Sequence, residues 1–461
     1  MKLTPLSLLV TGAIALVLPD HIAADGPQAP VTVPRDREVP QSQRQGGDHS
    51  SPSWWWDTVL PSGETIESAI DEGLQGLDAV NSGIAQVVHA ADSIQDDLKN
   101  ELAKVATAHG GGHHDFPDLT IYQLLHKNKF TKKFAALVEE HEDIVKLLNS
   151  TGSTNYTLFA PVDAAFDDIP EDHPKPGKDF IEAVLRYHIG VGEYRAHKIL
   201  TTNTIPTALN EKFLGDEPQR LRTSLGLWGV TVNFYSRVVA ADIGAKNGVV
   251  HGVRSLLGPP PMIGRVLTLF PAEFSTLLLA YEKTDFVKYI HDIKMDGSTV
   301  FAPSNRAFAA LGPRANAFLF NTEKGLKYLK ALLKYHIAPD ATLYSDAFYD
   351  KTGDSEADGS RREHYDLKSL LHEAHIGVDM AFFAGLTSIK VNGFVNVRVR
   401  DAPGKNGVIH VVDKVLIPPC KHKHHHEADL GVFDEVSVEE LMERLEPYVE
   451  TDETPLDGFE L

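Results

Sequence analysis

A chain of 461 residues with 42% hydrophobic and 23% charged residues is long enough for two or three globular domains and ordinary enough in composition to fold them. Its formal net charge of −20 argues against a nucleic-acid or anionic-membrane surface, because such partners need clustered Lys and Arg. Only one cysteine, Cys420, is present, so no disulfide can form within the chain and stability must come from packing.

In chain order, Lys2, the apolar run Leu6 to Leu18 and the small pair Ala23-Ala24 read as a secretory signal peptide over residues 1–24; the apolar core is short for an uncleaved anchor. Residues 25–115 then predict a Pro-, Gln- and Ser-rich disordered stretch, a triplet Trp54-Trp55-Trp56, and an amphipathic helix. In that helix, Leu77, Val80, Ile84, Val87, Ala91, Ile94 and Leu98 alternate spacings of three and four, a heptad seam. The seam suits either self-association through residues 64–106 or a helix lying on the protein's own surface. A Gly- and His-rich linker, Ala108 to His114, follows.

The remainder says the same thing twice. Tyr156-Thr157-Leu158-Phe159-Ala160-Pro161 and, after two residues, Ala164-Ala165-Phe166 return as Ser298-Thr299-Val300-Phe301-Ala302-Pro303 and Arg306-Ala307-Phe308. Leu185-Arg186-Tyr187-His188-Ile189 returns as Leu333-Lys334-Tyr335-His336-Ile337, and Asn247-Gly248-Val249-Val250-His251 as Asn406-Gly407-Val408-Ile409-His410. Each copy ends in a double proline, Pro259-Pro260 and Pro418-Pro419. A repeat of roughly 140 to 160 residues is domain-sized, so two tandem copies of one fold are expected.

Within each copy the Phe-Ala-Pro segment reads as a buried strand whose proline leads into a helix, with Ser304 as N-cap in the second copy and Asp163 in that role in the first. Val230, Val232 and Phe234, and later Val395, Val397 and Val399, alternate with polar residues as half-buried antiparallel strands do. The Asn-Gly pairs close turns before the last strands. Between the Tyr-His and Asn-Gly anchors the second copy is longer by 11 residues, 70 positions against 59, and the polar stretch Lys351 to Arg362 is the expected site of the extra loop.

The three ordered motifs resemble the fasciclin (FAS1) domain family, with its "TxFAPxxxAF", "YH" and "NGVVHxVxxxLxPP" segments, over about 300 residues. The resemblance implies an α+β chain with two FAS1 domains, 116–260 and 261–420, each a β-sandwich wedge with packed α-helices. It also implies adhesion or interaction modules, with the Tyr187-His188 and Tyr335-His336 segments and Asp242-Ile243 at positions that related animal proteins use in adhesion. The residues themselves point elsewhere. Ile181, Leu185 and His188, like Leu329, Leu333 and His336, share one helix face, which places each imidazole at the edge of a core with its ring nitrogens satisfied.

Two sequons, Asn149-Ser150-Thr151 and Asn155-Tyr156-Thr157, make Asn149 and Asn155 candidate glycosylation sites. Residues 421–461 hold a His cluster, His422, His424, His425 and His426, and an acidic tail. The cluster is a candidate for weak metal binding or, once protonated, for attracting the tail. From Glu427 onward 13 acidic residues face the single Arg444, and Ser437-Val438-Glu439-Glu440 opens a short amphipathic helix. No nucleophile elbow, phosphate loop or metalloprotease motif occurs, and no cofactor is implied. The expected protein is a non-catalytic secretory-pathway binder of a protein or glycan ligand, with no stable membrane span, in the vacuole lumen or at the cell surface. A metal- or pH-responsive vacuolar factor is the alternative.

Overall fold

The computed structural model describes residues 114–167, 169, 176–226, 229–350, 353–356, 362–371, 374–383, 386–419 and 436–449. The signal peptide, the tryptophan triplet, the heptad helix, Cys420 and the His cluster therefore lie outside the described residues.

The first domain opens with β1 (His114–Phe116) and three helices, α1 (Ile121–Lys127), α2 (Lys132–Glu139) and α3 (Glu142–Asn149). α1 begins at a capping box: the Thr120 hydroxyl accepts from the Gln123 amide while the Gln123 side chain accepts from the Thr120 amide. Then follow β2 (Tyr156–Pro161), α4 (Lys178–Tyr187), β3 (Ile189–Val191), α5 (Ala196–Ile199), β4 (Thr204–Glu211), β5 (Glu217–Gly226), β6 (Gly229–Val232), β7 (Ser236–Ala245) and β8 (Gly248–Val253). The strands pair in the order β1-β7-β6-β5-β4-β3-β2-β8, with β8 also antiparallel to β7, so the pairing from β2 to β8 runs round on itself. β2 is buried on both faces. Leu158 and Ala160 meet α1–α3, whereas Phe159 points into the strand core with Ile205, Leu221 and Val253, as the two-residue period of a strand requires.

The second domain repeats this plan: α6 (Ile263–Thr268), α7 (Pro271–Lys283), α8 (Phe286–His291), β9 (Ser298–Pro303), α9 (Asn305–Ala309), α10 (Pro313–Asn321), α11 (Glu323–Tyr335), β10 (Ile337–Pro339), β11 (Ala341–Leu343), β12 (Ala347–Asp350), β13 (Gly353–Glu356), β14 (Arg362–Lys368), β15 (His375–Phe383), β16 (Leu386–Val391), β17 (Val395–Gly404) and β18 (Gly407–Val412). β18 lies parallel to β9 as β8 lies parallel to β2. A last helix, α12 (Val438–Leu445), packs Leu441 and Leu445 into this domain's core against α10 and α11, with the Ser437 hydroxyl accepting from the Glu440 amide as the tail sequence predicts.

Three local expectations are corrected. Ser304 caps α9, but Asp163 does not cap its own short 3-10 turn; its carboxylate accepts from the Lys133 amide at 2.8 Å and so starts α2 instead. β6 stops at Val232, because Asn233 and Phe234 both take left-handed backbone conformations. The extra polar stretch of the second copy is not wholly loop. Gly353–Glu356 forms β13, which pairs with β12, and β12 with β11, in a separate three-stranded sheet.

Candidate functional site

The two Tyr-His motifs lie inside the domains. Both tyrosines and His188 have no exposed surface, and His336 is 3% exposed. His188 Nδ1 lies 2.7 Å from the Val184 carbonyl, which fixes the proton there, and Nε2 accepts from the Leu257 amide at 2.9 Å. His336 does the same with Leu332 and Leu416, at 2.8 and 2.9 Å. A proton on Nε2 would face another donor. Burial, opposed by the backbone hydrogen bond, lowers both pKa values to about 4. The tyrosines are equally occupied: Tyr187 donates to the Arg220 carbonyl and accepts from Asn233, and Tyr335 donates to the His375 carbonyl and accepts from Asn392.

Asp242 and Asp401 stand at equivalent bulged positions, both with left-handed backbone, and each gives its amide to the following histidine, His251 or His410. Their carboxylates do different work. Asp242 accepts from the Ala196 amide at the start of α5, whereas Asp401 is buried and accepts from the amide and hydroxyl of Ser345. Ile243 is half-buried against the helix-side core. The candidate ligand residues thus hold turns, caps and cores together. The sequon residues differ: Asn149 and Asn155 are both exposed, Asn149 accepting from Thr120 and Asn155 donating to Glu193. Among the described residues no group of three or more His, Cys, Asp or Glu could hold a metal.

A polar cluster lies between the domains. Asp346, just before β12, accepts from the amides of Asn203 and Thr204 at 3.0 and 2.7 Å and from the Thr204 hydroxyl. Arg220 on β5 donates to the Thr204 hydroxyl and to the Tyr349 hydroxyl, and Tyr349 in turn donates to the Pro218 carbonyl. Burial opposes the Arg220 charge, yet Tyr349 and Asp346 outweigh it and raise its pKa. Burial in turn pushes Asp346 up, against the pull of Arg220 and Thr204. Around this centre Gln219 donates to the Gly404 carbonyl, Arg222 to the Arg400 carbonyl, Arg400 to Asn203 and Asn203 to Thr387. Arg222 is lowered to about 10 by burial and by Arg400.

This seam was invisible as a motif, since its residues are scattered over both copies. The one trace is the length difference between the anchors, because Asp346, Tyr349 and β13 belong to the segment where the copies diverge. Replacing Arg220 by Met should cost about 3 kcal/mol, since Asp346 and Tyr349 lose a buried partner. Calorimetry of the parent is expected to show one transition and of the variant two; a variant that keeps a single transition would show that Arg220 does not couple the domains.

The fasciclin-domain family model matches residues 129–259 and 272–418, together more than half of the chain. A protein of Gibberella zeae, "Aurofusarin biosynthesis cluster protein S", is 29% identical over 361 residues, covering 72% of this chain and 87% of that one. Rat Stabilin-2 is 30% identical over 49% of this chain and human Periostin 27% over 62%, but these matches span only 16% and 31% of those proteins. A solved FAS1 domain pair from the insect cell adhesion molecule Fasciclin I covers 63% of this chain at 20% identity, with a TM-score of 0.31, and 98% of its own chain. No helix among the described residues is long and apolar enough to cross a membrane. With both repeats matched in register, the chain belongs to the fasciclin domain family as a tandem pair.

Proposed function

We propose that this chain is a non-catalytic binding module of the secretory pathway, in which two FAS1 domains held as one body present their outer surfaces to a protein or glycan ligand. The observation that carries this reading is that the motif residues are spent internally. Four buried imidazoles, His188, His251, His336 and His410, have both ring nitrogens in hydrogen bonds, so none is poised for proton transfer or metal ligation. The adhesion-type relatives, Stabilin-2 and Periostin among them, support an adhesive role.

The test is saturable binding of the full chain to arrayed cell-surface glycans and to extracted wall proteins, measured with and without EDTA. Binding that survives the chelator is expected. Failure to bind either class would overturn the reading, and binding only with added zinc would favour the alternative built on His422, His424, His425 and His426. The Gibberella zeae relative, matched over most of both chains, favours a second reading as an accessory to a biosynthesis cluster. Co-purification of biosynthetic enzymes, with no glycan or wall binding, would select it.

A further inference from the structure

The stretch Lys127-Asn128-Lys129-Phe130-Thr131-Lys132-Lys133, which leads from the end of α1 into α2, has four lysines and no acid in seven residues of a chain whose net charge is −20. Its backbone is tied at several points. The Asn128 side chain accepts from the Phe130 amide at 2.9 Å, the Phe130 carbonyl accepts from the Asp163 amide at 2.7 Å, and Thr131 is buried with its hydroxyl donating to the Leu125 carbonyl. Phe130 is thereby held outward, and at 72% it is the most exposed large hydrophobic side chain among the described residues. The charged groups that meet the stretch are already engaged: Lys133 with Asp167 at 2.7 Å, His126 with Glu139 at 3.3 Å, and the Asp163 carboxylate with the Lys133 amide. Lys127, Lys129 and Lys132 are exposed, and their ammonium groups have no partner among the described residues.

The fold itself does not demand this loop. In the second domain the stretch between the buried residues Leu267 and Phe274 is two residues shorter than the one between Leu125 and Phe134, and it contains no lysine. There Phe270 packs on the core, and Glu273 stands in the first turn of α7, where a helix N-terminus favours an acid. The first domain instead places Lys132 and Lys133 in the first turn of α2, with no acid, against that preference.

We propose that this loop binds an acidic polysaccharide, with the Phe130 ring against the face of a sugar and Lys127, Lys129 and Lys132 meeting its carboxylate or sulfate groups. The inference rests on the glycan-binding reading above and names the ligand class and the site. Charge complementarity selects the ligand, and an exposed aromatic face flanked by cations offers it both an apolar platform and counter-charges. The stretch has no arginine, so it lacks the planar fork that grips a phosphate or carboxylate of a peptide in two places. A continuous anionic membrane would face much of a protein of net charge −20, whereas a single polymer strand meets only the loop, with charges beyond about 10 Å screened.

Binding of the full chain to immobilised polygalacturonate and dextran sulfate, with neutral dextran as the blank, tests the site. The parent is expected to bind at least one acidic polymer at about 0.05 M salt and to release it at about 0.5 M. A chain carrying K127Q, K129Q and K132Q should bind at least about tenfold more weakly, and Phe130→Ala about fivefold more weakly with no change of charge. These side chains are exposed, so circular dichroism and melting should match the parent. A chain carrying K288Q, K294Q and K390Q on the second domain loses the same charge elsewhere and should stay within about twofold of the parent. Equal losses in the two triple variants, or a loop variant that binds like the parent, would overturn the site while the glycan reading stands. A parent that binds arrayed neutral glycans but neither acidic polymer would also overturn only this inference, whereas one that binds no glycan and no wall protein would overturn both. Phe130-dependent binding to phosphatidylserine vesicles, with none to the polymers, would replace the polysaccharide by a membrane.

Discussion

Carrying the protein from pH 7 to pH 5 is expected to cost each domain about 2 kcal/mol of folding stability through its Tyr-His imidazole alone. An unfolded histidine titrates near 6.5, while His188 and His336 are lowered to about 4 in the fold. Between those values the unfolded chain binds the extra proton, so stability falls as pH drops through the window; the loss reaches about 3 kcal/mol per site near pH 4, where the folded imidazole begins to charge. His251 and His410, also lowered by burial, add in the same direction. Asp346 and Asp413, raised by burial, act oppositely, since a carboxyl that protonates more readily when folded gains stability on acidification. Urea unfolding followed by circular dichroism at pH 7 and pH 5 measures the balance. A His336→Asn chain should start less stable at pH 7 yet lose about 2 kcal/mol less on acidification. Stability curves that stay parallel from pH 7 to pH 5 would remove His336 as the source.

Much of this site is legible in the sequence. Helix periodicity placed His188 and His336 on the core face, and the structure completes the account with a carbonyl one turn back and an amide from the post-strand segment at Leu257 or Leu416. The Asn-Gly turns were legible as well, but not the second task of their asparagines. Asn247 accepts from the Ile121 amide and Asn406 from the Ile263 amide, so each turn also ties down the first helix of its domain. Such pairings between residues more than a hundred positions apart leave no local pattern. The seam escaped for the same reason: Arg220, Asp346 and Tyr349 belong to no motif, and the packing of one domain on the other brings them together. Asp163 shows a different limit. Its type and place suit an N-cap, but the amide it meets belongs to a neighbouring helix rather than its own.

Gly407→Ala is expected to unfold the second domain, and Gly248→Ala the first. Both glycines open the strand that pairs parallel with β9 or β2 at the heart of their domain, with φ near 147° and 148°, a conformation that residues with a side chain rarely adopt. Space is the harder constraint. A Cβ on Gly407 would lie 2.0 Å from the Ser298 carbonyl oxygen, and one on Gly248 would lie 1.8 Å from that of Tyr156, so backbone rather than a yielding side chain stands in the way. Relief requires β18 to move from β9, or β8 from β2, which would break the parallel ladder over Thr299 to Pro303 or over Tyr156 to Pro161. Backbone strain of about 1–3 kcal/mol and overpacking of a similar size together remove roughly 2–6 kcal/mol, at the upper end enough to consume a typical domain's margin. Gly215→Ala is the control, because φ there is 74° but nothing lies within 4 Å of the added carbon. That change carries the conformational term alone and should cost about 1 kcal/mol. Thermal unfolding of the three chains decides the matter, and a Gly407→Ala protein melting with the Gly215→Ala control would show that the strands can part cheaply.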